Sequence, residues 1–289
     1  MIKSYKLRRT LANTAIYILL AILGIIWIFP LIWLVLHSFR IDPNGGIPAA
    51  EYNHLFPSLD VLGFDNYVGL FTETKFLRWF GNTFFIAVCC CIISTISVLV
   101  VAYAFSRLRF KARKPLINVG MIMGMFPGFM TMIALYLILK MMGLDQTLVG
   151  LILCYSAGSG LGYLVMKGFL DTIPHALDEA ATIDGANKFQ VFYKIILPMA
   201  KPMIIYQVLT SFISPWCDFI LVNIIMRENV DNYTVAKGLW SWAVDTEYRN
   251  DYYRYFLSGS VVVSIPITAL FLYMQKYYVS GVTAGGVKG

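Results

Sequence analysis

DEAATIDGANKFQVFYKIILP, residues 178–198, interrupts a chain that is otherwise strongly apolar. It carries acids, amides and two lysines, and an Ala pair two residues ahead of Asp184-Gly185. A polar stretch of this kind between two apolar runs sits where the chain leaves the lipid. Its side chains then meet either water or a partner.

The flanking runs define that setting. Only 13% of the 289 residues are charged and 58% are hydrophobic, whereas a soluble domain is about 25% charged. No Lys, Arg, Asp or Glu occurs in Thr10–Phe39, Trp79–Ser106, Pro115–Leu139, Gln146–Met166 or Tyr255–Gln275, and Pro202–Met226 holds one acid, Asp218. A bilayer core is crossed by roughly 20 apolar helical residues. The pattern predicts an all-α membrane protein with six crossings, centred on 12–37, 82–106, 116–139, 148–166, 202–225 and 256–275. The runs are too long and too uniformly apolar for barrel strands. The first begins after the basic stretch Lys3–Arg9, but exceeds the ~7–15 residues of a signal-peptide core and lacks a small-x-small site, so it reads as a retained helix. Residues 1–289 read as a single membrane domain, with no short-period repeat.

Charge predicts the orientation. With both termini in the cytoplasm, inside segments collect fifteen of the 23 bases and four of the 16 acids. That is the bias the positive-inside rule demands. The net charge of +7 therefore reports topology, and nucleic acid is not an expected partner, because the bases flank spans and form no patch on a soluble domain. The segment 171–200 falls on the cytoplasmic side. The segments near 40–80 and 227–254 fall outside, the latter with Tyr233, Trp240, Trp242, Tyr248, Tyr252 and Tyr253. Those rings suit membrane-interface packing, or a sugar-binding surface.

Within 171–200, Pro174 suits a first helical turn, with Asp171 or Thr172 as cap. Asp178 and Glu179 lie where the helix dipole favours acids. Gly185 is able to stop the helix in a left-handed conformation. A second short helix then presents Phe189, Phe192, Ile195 and Ile196 on one face, and Pro198 leads into the fifth span. Such a helix–Gly–helix elbow exposes a Glu beside two small alanines. It reads as a docking knob, or as an ordinary amphipathic connection.

The spacing Glu179-Ala180-Ala181, then Gly185, then Ile195 and Leu197-Pro198 resembles the EAA signature of permease subunits of binding-protein-dependent ABC importers. Three further stretches are similar to carbohydrate-importing members: Ala102–Arg107 with Arg109-Phe110-Lys111, Phe64–Tyr67, and Ser264–Thr268. The ending Gly281–Gly289 resembles that of the smaller permease subunit of maltose-type systems. The resemblance implies the ABC importer permease fold in a bacterial cytoplasmic membrane. It implies that Glu179, Ala180, Ala181, Asp184, Gly185, Ile195, Leu197 and Pro198 couple to an ATPase subunit. It also implies that Thr283, Gly285, Gly286 and Lys288, in the tail 281–289, reach the ATPase dimer. The expected partners are a second, larger permease subunit, an ATPase dimer holding ATP and Mg, an extracytoplasmic sugar-binding protein and membrane lipid.

The chain carries no GxxxxGK[ST], HExxH or GxSxG pattern, so no catalytic residue or bound cofactor is assigned to it. Cys89, Cys90, Cys91, Cys154 and Cys217 lack metal spacing and read as small buried apolar side chains. His37 reads as a helix-end histidine near the membrane interface. Asp218 follows Pro215-Trp216, which predicts a bent or broken helix and makes Asp218 and Trp216 candidates for the solute pathway. An ion-gradient-driven secondary transporter is the alternative class. It would need coupling carboxylates and broken helices at the midplane, and it leaves the elbow unexplained.

Overall fold

A computed structural model describes residues 2–41, 56–57, 61–158 and 162–286, with side chains from residue 9 to residue 275. The regular structure of the described residues is helical, apart from an antiparallel bridge between Arg40 and Leu62. In order, the helices are α1 (Ile2–Ser38), α2 (Asp65–Thr72), α3 (Phe76–Arg107), α4 (Arg113–Gly124), α5 (Gly128–Met141), α6 (Leu148–Gly158) and α7 (Gly162–Asp171). There follow α8 (His175–Ile183), α9 (Lys188–Val191), α10 (Leu197–Met199), α11 (Lys201–Cys217), α12 (Ile220–Met226), α13 (Val235–Val244) and α14 (Arg249–Gly286).

Four stretches are long and apolar enough to cross a membrane unbroken: Arg9–Ser38, Phe76–Arg107, Leu148–Asp171 and Arg249–Gln275. Two more qualify only as bent pairs, α4 with α5 at 104° and Lys188–Met199 with α11 at 78°. The third expected crossing is thus interrupted. Gly124 and Gly128 flank Pro127, whose ring removes a donor from the helical ladder while its carbonyl starts α5 by accepting from Met130 (3.0 Å) and Thr131 (3.2 Å). The fifth run is also divided. Pro215 lies inside α11, and the chain turns extended at Asp218, with φ −95° and ψ 107°.

Contacts divide the chain into two units, Met1–Thr74 with Ser241–Val262, and Lys75–Trp240 with Val263–Gly289. In the first, α1 presents apolar side chains along its length, Trp27 being 78% exposed, as lipid-facing residues are. Asn66 ties the chain beyond α1 by donating to the carbonyls of Ser38 (3.0 Å) and Arg40 (2.7 Å). The Tyr255 hydroxyl donates to Glu73. His37 sits in the last turn of α1, as expected; it is fully buried and lies on the Trp33 ring at 4.4 Å. The turn expected at Asp42–Gly46 lies outside the described residues.

In the second unit α3 is the spine, with α6, α7 and α11 packed on it. Near the C-terminal end of α3, Val98 and Ala102 share one core with Met166, Leu170, Val191, Ile196 and Ala200. Helix association in lipid rests on such close packing rather than on escape from water. At the other end of α3, the segment after α12 is fastened by polar bonds. Trp79 Nε1 donates to Val230 O (2.7 Å). Asn82 donates to Asp231 O (2.9 Å) and Tyr233 O (3.0 Å). Thr83 Oγ1 accepts from Val235 N (2.9 Å). The hydrogen bond from Lys75, with Arg78 nearby, holds the Asp231 carboxyl below its usual range. Gly238 lies against the Trp79 indole, and any Cβ there would overlap the ring. Tyr233 is buried here, so this ring serves packing, and in the first unit the buried Trp242 packs on Tyr252 and Tyr255. Cys90 and Cys154 are buried as expected, while Cys217 is exposed.

Candidate coupling elbow and solute cavity

The elbow begins one residue later than its sequence suggests. Pro174 is the N-cap of α8, with extended ψ of 130°, and its carbonyl accepts from Leu177 N (3.2 Å). Neither Asp171 nor Thr172 caps the helix. Asp171 is taken by Ser106 Oγ (2.6 Å) and Lys167 Nζ (2.5 Å), and the Thr172 hydroxyl donates back to Phe169 O (2.7 Å). Helix α8 ends as Asp184-Gly185 predicts. Gly185 takes φ +85°, a region costly to residues with a Cβ. Gly185 N donates to Thr182 O (3.1 Å) and Ala186 N to Ala181 O (2.9 Å), the paired bonds of a Schellman terminus.

One residue on, Asn187 starts α9 with a capping box. Its Oδ1 accepts from Gln190 N (2.9 Å), and Gln190 Oε1 accepts from Asn187 N (2.8 Å). The motif is the Asn-x-x-Gln form of a recognised start signal, legible in the sequence and not used there. The second arm departs from the expected face. Phe189 is 73% exposed, while Val191 and Ile196 are buried. The cause is a π-helical turn over Phe192–Ile196, whose i→i+5 bonding brings residues five apart, Val191 and Ile196, onto one face. Glu179 and Ala180 are exposed, Ala181, Ile195 and Leu197 are half-buried, and Asp184 and Pro198 are exposed. Ile183 stands 86% exposed at the corner. A hollow of about 330 Å³ runs past Ala181, Gly185, Ala186, Lys194 and Ile195.

What secures α8 is invisible to local pattern. Arg107, the last residue of α3, has a side chain only 3% exposed, and its Nε lies 3.1 Å from Asp178 Oδ2. Its Nη2 donates to Leu170 O (3.0 Å) and Ile173 O (2.8 Å), capping the end of α7, and its Nη1 sits 2.9 Å from His175 Nδ1. Tyr103 adds a bond from α3 to Lys188 O (3.0 Å). One arginine thus joins α3, α7 and α8. Beside it a groove of about 790 Å³ is lined by Arg107, Arg109, Arg113, Asp178 and Glu179 among others.

Within the second unit lies a larger cavity of about 860 Å³, bordered by α3, α4, α5, α6, α7 and α11. Asp218 lines it. Its Oδ1 accepts from Leu221 N (3.1 Å), which starts α12, and its Oδ2 accepts from the Tyr155 hydroxyl (3.3 Å). Trp216 is not on this wall. It is 3% exposed and packs on Phe80 and Phe212, with ring centroids 5.2 and 5.9 Å away. Toward the C-terminus, α14 continues to Gly286. Thr283, Gly285 and Gly286 are described in backbone only, and Lys288 lies outside the described residues. Among the described residues, no group of three His, Cys, Asp or Glu side chains is placed to hold a metal.

Comparison with known proteins places this architecture. The family model for "Binding-protein-dependent transport system inner membrane component" matches residues 99–284. The maltodextrin transport system permease protein MalD of Streptococcus pneumoniae is 35% identical over the whole of both chains. The galactooligosaccharides transport system permease protein GanQ of Bacillus subtilis is 34% identical, again over the whole of both. The maltose/maltodextrin permease protein MalG of Vibrio vulnificus is 32% identical over 99% of this chain and 98% of its own. In structure, the chain resembles a subunit of a bacterial ABC transporter involved in the import of the acidic polysaccharide alginate, with a TM-score of 0.76 at 22% identity, covering 93% of this chain and 97% of that one. The chain belongs to the family of inner membrane components of binding-protein-dependent transport systems, as a multi-pass permease subunit.

Proposed function

We propose that this permease imports an oligosaccharide of the maltodextrin type, driven by a separate ATPase dimer that binds ATP and Mg. Its full-length relatives carry maltodextrins and galactooligosaccharides in their names. In this reading the chain is one membrane domain with both termini in the cytoplasm, each bent pair counting as one crossing. The elbow 171–200 docks in the ATPase subunit through Glu179, Ala180, Ala181, Asp184 and Gly185, while Ile195, Leu197 and Pro198 seat it on the fifth crossing. The end of α14, with Thr283, Gly285, Gly286 and Lys288, reaches the same dimer. A second, larger permease subunit completes the pathway, whose near half is the cavity at Asp218 with Trp216 stiffening the wall behind it. An extracytoplasmic sugar-binding protein delivers solute to 227–254. Closure of the ATPase dimer moves the elbow, and packed helices pass the motion on by switching between discrete arrangements.

The observation that carries this reading is the left-handed Gly185, at φ +85°, turning the chain so that Glu179 and Ala180 stand free on one side. Gly185→Val forces a β-branched side chain into that conformation, at a cost on the order of 1–2 kcal/mol. It is expected to reduce co-purification of the ATPase subunit and abolish ATP-driven uptake, with the permease still inserted. Uptake at the parent rate in Gly185→Val, or uptake in membranes lacking the ATPase subunit, would overturn the reading.

A further inference from the structure

The cavity wall on α11 has a pattern independent of the elbow. Gln207, Thr210, Ser211 and Ser214 occupy positions i, i+3, i+4 and i+7 of α11, Asp218 follows just past its end, and all of them line the cavity. On a helix that spacing is a single stripe. Polar stripes on membrane helices are expensive unless they face a cavity or a partner.

The hydrogen bonds give the stripe a chemical sense. The Thr210 hydroxyl donates to Tyr206 O (3.0 Å), and the Ser211 hydroxyl to Gln207 O (2.8 Å). Gln207 Nε2 donates to Ser94 Oγ (3.1 Å) on α3 and to Ser211 Oγ (2.8 Å). No hydrogen bond is made to Gln207 Oε1 among the described residues. Ser214 and Tyr206 add hydroxyls to the same lining. The wall therefore offers the cavity hydroxyl donors as well as the lone pairs of Thr210, Gln207 and Asp218. Among the described lining residues there is one carboxylate, Asp218, and no Lys, Arg or His.

We infer that this stripe is the contact surface along which the solute passes, and that it selects an uncharged, hydroxyl-rich molecule. Each hydroxyl of a polyol both donates and accepts, and so matches a wall that holds both kinds of group. An anionic saccharide brings negative charge to Asp218, where no described lining residue is a cation. The inference rests on the importer reading above and adds which residues touch the solute and what charge it carries.

The test uses the complete importer in proteoliposomes, with a maltodextrin as probe and saturating binding protein. Both the uptake rate and binding-protein-stimulated ATP hydrolysis are read. Loss of one solute hydrogen bond costs ~0.5–1.5 kcal/mol, so Gln207→Leu is expected to slow uptake about fivefold with stimulated hydrolysis within about twofold. Thr210→Val matches the parent in shape and removes a hydroxyl bonded only within its own helix. It is expected to slow uptake about threefold, and it keeps the test open if Gln207→Leu disturbs assembly. Asp218→Asn retains acceptor oxygen and is expected to leave maltodextrin uptake within about threefold of the parent. Parent-like uptake in both Gln207→Leu and Thr210→Val would overturn the stripe as the contact surface. Uptake of an anionic oligosaccharide by the parent complex at the maltodextrin rate would overturn the uncharged solute. A parent complex that hydrolyses ATP without importing any oligosaccharide would instead defeat the importer reading.

Discussion

Two polar segments of this protein connect apolar helices, and they are held in opposite ways. The segment between α12 and α13 is fastened along its length by Trp79, Asn82 and Thr83, three residues of one helix. Its aromatic Tyr233 turns inward. The elbow between α7 and α11 is anchored at its base by Arg107 and Tyr103, and its corner keeps Ile183 and Phe189 almost wholly exposed. The first segment spends its polar groups on the protein itself. The second satisfies its backbone locally and leaves Glu179, Ile183 and Phe189 exposed. Large apolar side chains standing clear of the core mark an interaction surface.

The contrast is open to attack at three places, in descending order of expected effect. Arg107→Ala removes the anchor of the elbow. It strands Asp178, whose side chain is only 18% exposed, and two carbonyls at the end of α7. Breaking a buried pair costs about 3 kcal/mol, so thermal unfolding of the assembled complex should move well below the parent. An unchanged transition would mean that the base of the elbow is as loose as its tip. Asn82→Ala deletes two bonds to the fastened segment, at about 1 kcal/mol each. The transition should fall by about 2 kcal/mol while ATPase coupling stays intact. Lost coupling there would erase the division of labour between the two segments. Ile183→Asn, at a site 86% exposed, should alter permease stability by less than about 0.5 kcal/mol. It should weaken ATPase-subunit affinity about tenfold, as the loss of one apolar anchor does. A large stability loss would show the corner to be packed rather than presented.

Much of the elbow was legible because its determinants are local. Asp184-Gly185 announces a helix end, and it is one. Local signals also failed where they were averaged away. Gly124, Pro127 and Gly128 form a breaker cluster, but within a charge-free run the apolar mean concealed the 104° bend. Pro215 correctly warned of a broken fifth helix, yet the break comes at Asp218, where Leu221 N finds a side-chain acceptor. Phe189 was assigned to the wrong face because a 3.6-residue period was assumed across a π turn. Arg107 could not be found by pattern at all. Its partners lie more than sixty residues away in the chain, and only folding brings them together. The polar stripe on α11 was readable at helical spacing, and was hidden by attention to its single charge.

One detail of the corner reaches beyond docking. The amides of Asp184, Gly185, Ala186 and Asn187 each donate a hydrogen bond within the elbow, so the bend contains no slack residue. A bracket without play transmits in both directions. In the coupling proposed above, whatever free energy nucleotide binding exerts on the sugar path, occupancy of that path must exert on nucleotide affinity in equal measure.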